Sequence, residues 1–310
     1  MMRYDCHGSV CKGRSAGLGR PLHILVTAFL LLLCLMPVHA RAAGYYGKKL
    51  KGNARAVYDD LEKAGTSKLK KATISSGSLL KLSRRVSWED SFKGCYSFLY
   101  DHPELYWAHG FMTYGYGGKL AYLKPYNLYY QGISADFGKI DREMNKAIRY
   151  VKKKKGRYNK VKAAHDYLDK LVSYGYGPKG GSHFSYAGMI SDNGRRMVCA
   201  GYAKAFQRIC LANGIPCLLV TGQASDSGRN YGSHAWNYVK MSNNKWYLVD
   251  CTWDDAGSKP GRTYFLAGSR DKNLWGKTMS VTHKPDKTAY KSGKVTFYQR
   301  LPRLSGTRYR

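Results

Sequence analysis

The stretch that most restricts the fold runs from residue 195 to residue 252, where one helical pattern gives way to three strand patterns. In "VCAGYAKAFQRICLANGIPC" the residues Tyr202, Ala203, Phe206, Ile209 and Cys210 recur at three and four positions, which makes one apolar stripe along a helix. "ANGIP" ends that helix, because Asn213 and Gly214 suit a left-handed cap and Pro216 cannot continue the ladder. An apolar strand, "PCLLVTG", comes next, followed by two alternating strands in "HAWNYVKMSNNKWYLVDC" about a turn at Ser242 to Asn244. Alternate strand residues share a face, so His234, Trp236 and Tyr238 point one way, as do Trp246, Leu248 and Asp250 on the return. A three-residue turn pairs Met241 with Lys245, hence His234 with Thr252, and makes Asp250 a diagonal neighbour of His234 at roughly 7–8 Å. A two-residue turn at Asn243 and Asn244 would reverse the parity and need a bulge to restore it.

Cys199 stands at the first turn of the helix. Unpaired backbone N–H groups and the positive end of the helix dipole favour an anion there, and Gly201 with Ala200 and Ala203 leaves the approach uncrowded. The order Cys199, His234, Asp250 therefore supplies a nucleophile, a base to take its proton and a carboxylate to fix the imidazole tautomer. Each residue also has a bland reading: a small buried cysteine, a satisfied strand histidine and a turn-forming aspartate. No CxxC pair or compact Cys/His cluster is present, so neither a metal nor another cofactor is expected.

The residues "VCAGYAKAFQRICLANGIPCLLVTG", "HAWNYVKMSNNKWYLVDCTWDD" and "YFLAGS" resemble the core of the transglutaminase-like superfamily, in particular its exported bacterial members. Upstream, "KAAHDYLDKLVSYGYG" and "SYAGMISDNGRRMVC" resemble the helix and lead-in of the same family. The resemblance covers residues 135–270. It implies an α+β, papain-like fold in which the cysteine helix packs on an antiparallel sheet. By motif it assigns Cys199 as nucleophile, His234 as base and Asp250 as orienter. The backbone N–H of Cys199 and the side chain of Asn193 are the expected oxyanion donors, and Trp236 and Trp253 are expected to wall the cleft. His165 reads as structural. Cys251 departs from the family's apolar habit; it is expected on the opposite strand face, with a bridge to Cys217 left open.

The remaining sequence frames this core. Residues 22–38 form an apolar run after Arg3, Lys12, Arg14 and Arg20 and before the small residues of "VHARAA", which reads as an export signal over residues 1–40. An uncleaved anchor is the rival reading. Residues 41–134 read as a mixed extension, with a short helix around "AVYDDLEKAG", a helix in "SWEDSFKGCYSFLYDHPELYW" and a hairpin turning on Gly117 and Gly118. Helices follow with stripes at Phe137, Ile140, Met144, Ile148 and Val151, and at Val161, Ala164, Leu168 and Leu171. Residues 271–310 read as a basic C-terminal segment.

Loss of residues 1–40 would leave 48 basic and 19 acidic side chains of the original 52 and 20, a net charge of +29. Such a surface favours anionic wall polymers or membrane headgroups over nucleic acid, with plain solubility as the bland alternative. Cys95, Cys199, Cys210, Cys217 and Cys251 would remain, an odd number that leaves a thiol unpaired in a monomer. The expected function is that of a secreted thiol enzyme acting on a protein or peptide substrate through a thioester, by hydrolysis or by transfer to an amine. A non-catalytic wall-binding module that keeps the fold is the alternative.

Overall fold

The structure, a computed structural model, describes residues 44–74, 79–108, 110–126, 136–255, 261–292 and 295–310. The expected export signal lies outside the described residues. Within them, no helix is long and apolar enough to cross a membrane.

The N-terminal extension begins with α1 (Gly52–Ile74), longer than the sequence pattern implies and broken at Gly65, where φ is +72°. β1 (Leu80–Val86) leads to α2 (Trp88–Asp101), whose start is fixed by Ser87: its hydroxyl oxygen accepts the Asp90 N–H at 3.0 Å. β2 (Gly110–Tyr116) and β3 (Lys119–Tyr126) then form the expected hairpin. Gly117 and Gly118 both take positive φ, +60° and +71°, as a tight two-residue turn matched to strand twist requires. The three strands lie antiparallel in the order β1-β3-β2.

α3 (Phe137–Lys152) and α4 (Arg157–Leu171) bury the stripes read from the sequence, with Ala147 joining Ile140, Met144 and Val151. A short parallel pair, β4 (Ser173–Tyr174) with β5 (Arg196–Met197), delivers the chain to α5 (Cys199–Ala212). α5 ends as the sequence dictates, with Asn213 as cap and Gly214 at φ +72°.

The main sheet is built from β6 (Cys217–Ala224), β7 (Gly232–Lys240) and β8 (Trp246–Val249), followed by the short helix α6 (Cys251–Asp254). After α7 (Met279–Thr282), β9 (His283–Pro285) returns to pair antiparallel with β6, giving the order β8-β7-β6-β9. Thus the fourth strand comes from within residues 271–310. β10 (Thr288–Ser292) and β11 (Val295–Tyr298) make a further hairpin.

The β7–β8 register follows the three-residue turn: Lys240 faces Trp246, Asn237 faces Val249, and the Met241 N–H donates to the Lys245 carbonyl at 3.0 Å. One part of the strand reading is corrected. β8 stops at Val249, so no His234–Thr252 rung forms; Asp250 leaves the strand and caps α6 instead.

α5 lies on the sheet through Ala203, Leu219 and Ala235, and the Asn237 amide donates to the Ala203 carbonyl at 3.0 Å and to Leu218 at 3.1 Å. This is the α+β, papain-like arrangement of a helix on an antiparallel sheet. The extension shares its core. Val57, Leu61 and Phe98 belong to the same apolar cluster as Ile140, Leu168, Phe206 and Val239. Gln207 on α5 donates to the Tyr100 carbonyl at 2.9 Å, and the Tyr46 hydroxyl donates to Leu219 on β6 at 3.2 Å.

Candidate active site

Three elements converge on the site: the start of α5, the first part of β7 and the turn from β8 into α6. Cys199 is the first residue of α5 and is partly exposed. No side chain caps this helix start and no acidic residue occupies its first turn, so the positive end of the helix faces the thiol uncompensated. The close seating of the helix depends on Gly201. A Cβ there would stand 2.5 Å from the His183 carbonyl oxygen and 2.9 Å from Met197 Cβ.

His234 is nearly buried, and its Nε2 lies 2.7 Å from Asp250 Oδ2. That leaves Nδ1 as the free nitrogen of the His234–Asp250 pair, and the Cys199 sulfur is near enough to act on the charge of the ring. Burial alone would lower the His234 pKa. The Asp250 carboxylate and the Cys199 sulfur more than reverse this and raise it from 6.5 to about 10.

Asp250 divides its two oxygens between structure and site. Oδ1 accepts the N–H groups of Thr252 at 3.0 Å and Trp253 at 3.2 Å, which is an N-cap on α6. Oδ2 takes the imidazoles. Although burial opposes ionisation, the hydrogen bonds from His234 and a second histidine hold this carboxyl far below the usual carboxylate range. The turn-former reading and the orienter reading of Asp250 therefore describe two ends of one side chain.

The second histidine was not singled out from the sequence. His283, at the start of β9, is buried and places Nε2 3.1 Å from Asp250 Oδ2, while its Nδ1 lies 2.8 Å from Thr282 Oγ1. It lies 33 residues beyond Asp250 in a segment without a long periodic pattern, so the sequence carries no local signal for it. His234, Asp250 and His283 also bring their donor atoms within 4.8 Å of one another, as do His165, Asp169 and Cys251.

The remaining expected residues fall into two groups. Trp253 stacks on His234 with ring centroids 5.0 Å apart and lines an adjoining cavity of about 720 Å³ with Tyr264, Leu274 and Trp275. Trp236 stacks on His234 at 6.0 Å but is only 1% exposed, so it backs the imidazole rather than walling the cleft. Asn193 is corrected as an oxyanion donor: it is fully buried, and its amide already donates to the Ala187 carbonyl at 2.6 Å.

Neighbouring carboxylates have other partners. Asp254 meets His165 Nε2 at 3.1 Å and accepts the Tyr264 N–H at 3.0 Å, and the Tyr202 hydroxyl donates to Asp255. His165 is fully buried in this cluster, where burial is outweighed by Asp166 and Asp254 and its pKa rises to about 9. Cys95, Cys210, Cys217 and Cys251 are buried and free, so the Cys217–Cys251 bridge is not formed.

Residues 145–251 match the family described as the transglutaminase-like superfamily. The kyphoscoliosis peptidases of Mus musculus and Homo sapiens are each 39% identical over 62 residues, 18% of this chain and 9% of theirs. The chain thus spans about a tenth of the length of these curated relatives. The periplasmic domain of TgpA from Pseudomonas aeruginosa is 24% identical over 37% of this chain and 44% of that one, with a TM-score of 0.30.

Proposed function

From the premise that this chain carries a domain of the transglutaminase-like superfamily, we propose that it is an exported thiol enzyme that transfers acyl groups from peptide or glutamine-type amides through a thioester at Cys199. The observation that carries the reading is the 2.7 Å contact between His234 Nε2 and Asp250 Oδ2, on an imidazole within reach of a thiol at a helix N-terminus.

The geometry supports the following sequence. Asp250 fixes the His234 tautomer and favours the imidazolium, so His234 Nδ1 takes the Cys199 proton as the sulfur attacks the carbonyl carbon. The S–C bond forms while the backbone N–H of Cys199, at the start of α5, stabilises the oxyanion. The C–N bond then breaks as His234 returns its proton to the departing amine. In the second half, His234 accepts a proton from water or from an acceptor amine, which attacks the thioester and releases Cys199. The cavity beside His234 and Trp253 is the space for the leaving group and the acceptor.

Labelled casein with a biotinylated alkylamine tests both outcomes on one sample: cleavage of the label reports hydrolysis, and biotin retained on casein reports transfer. Wild type is expected to give at least one signal and Cys199→Ala neither, with an unchanged melting transition. Full activity in Cys199→Ala would remove the mechanism.

A further inference from the structure

We propose that His283 is a positioning residue of this site, locating Asp250 Oδ2 for His234 by donating its Nε2–H to the same oxygen. The inference rests on the thiol-enzyme reading above and adds to it a fourth member brought from the far edge of the sheet.

A carboxylate pinned at one oxygen can still swing about it. The α6 amides fix Asp250 Oδ1, and Oδ2 would then be located only by the His234 ring it is meant to orient. His283 supplies an independent tether at 3.1 Å. Together the two backbone amides and two imidazoles provide four donors, about the full accepting capacity of an ionised carboxylate.

The tautomer of His283 is set by its other nitrogen. The hydroxyl of buried Thr282 is 2.8 Å from Nδ1 and can donate to it, which leaves the proton on Nε2 facing Asp250. Burial lowers the His283 pKa, opposed by Asp250, so the ring donates as a neutral group. It therefore tethers the carboxylate without competing for the negative charge that stabilises the His234 imidazolium.

The ring itself packs against three aromatic side chains. Trp253 meets it at 4.7 Å, Trp236 at 5.1 Å and Tyr264 at 5.4 Å between centroids. Its charged and titratable neighbours are Asp250, His234, Asp254 and Tyr264. The backbone is fixed by pairing of His283 with Ala224 and of Pro285 with Gly222. Gly222 is necessary for this approach, since a Cβ there would lie 2.2 Å from the Lys284 carbonyl oxygen and 2.8 Å from the Trp236 ring. Aromatic walls, a defined tautomer and a glycine-dependent strand thus aim one N–H at one oxygen.

The test uses the full chain with p-nitrophenyl acetate as acyl donor and iodoacetamide as thiol probe. His283→Phe keeps a ring but loses the donor, whereas His283→Gln places an amide N–H near the position of Nε2. We expect Phe to lower kcat by about 10- to 100-fold, the range seen when an outer partner of a reacting group is removed, with KM within about threefold because ground-state binding is untouched. Gln is expected to recover most of kcat. Should Phe fail to fold, His283→Leu against His283→Gln makes the same comparison. Wild-type turnover in the folded Phe or Leu variant, or no recovery with Gln, would overturn the inference. Absence in wild type of both Cys199-dependent turnover and preferential alkylation of Cys199 would instead overturn the thiol-enzyme reading.

Discussion

Asp250 joins a helix cap and two imidazoles through one side chain, and its replacement by asparagine separates the two sets of contacts. The amide oxygen of Asn can keep the cap on α6. Its NH2 group, however, would face two imidazole nitrogens that both donate in the native site, so each ring must change tautomer or lose the contact. We expect kcat/KM to fall by roughly 10- to 10⁴-fold and stability to change by no more than about 1–2 kcal/mol. The pH dependence has a definite sign. His234 is raised above its ordinary 6.5, so the stabilisation it gains as an imidazolium is complete below pH 6.5 and is lost as pH rises through about 10. Without the Asp250 charge this loss moves down towards 6.5. Melting temperature and activity followed from pH 6 to 10 in both proteins check it; coincident profiles would mean that Asp250 does not set the His234 charge. If activity persists in Asp250→Asn, the orienter is not Asp250, and its hydrogen bond to His234 is a structural contact.

Among the elements, β9 shows the difference between what the sequence discloses and what only the fold reveals. The ends of α5 and the β7–β8 register were legible because their causes are local: Asn213 and Gly214 cap a helix, and the Met241–Lys245 pairing follows from one turn. The place of Cys199 at a helix start and the nearness of His234 to Asp250 were legible for the same reason, since all three lie on or beside strongly patterned segments. β9 is three residues long and makes sense only after the chain has returned to β6. Asn193 misled because an amide shortly before Cys199 is chemically suitable, and only packing discloses that Ala187 already occupies it. The strand also yields a prediction. Gly222→Ala should displace β9 at a cost of about 1–3 kcal/mol, typical of a forced methyl in a packed site, and faster amide exchange at His283 to Pro285 should accompany a loss of turnover larger than the loss of folded protein. Native exchange in β9 would show that the strand absorbs the methyl elsewhere.

Over the whole molecule, charge and thiol placement govern how the protein meets its surroundings. The run Lys152 to Lys155 has a local reason, because it closes the C-terminal end of α3, where cations complement the helix dipole. The net +29 beyond residue 40 exceeds any such need. We expect the protein to sediment with an anionic polymer such as polyphosphate at low salt and to be released by about 0.5 M NaCl, where screening is severe beyond a few ångströms; retention at high salt would assign the attachment to something other than charge. Four of the five cysteines in the described residues are buried, and Cys199 alone of these is partly open to solvent. An oxidant such as dilute peroxide should therefore meet the nucleophile first and convert it to a sulfenic acid while the core thiols stay reduced. The protein would then fall silent without unfolding, its melting transition unchanged, and dithiothreitol would restore it, so that acyl transfer follows the redox state of the medium through the sulfur of Cys199.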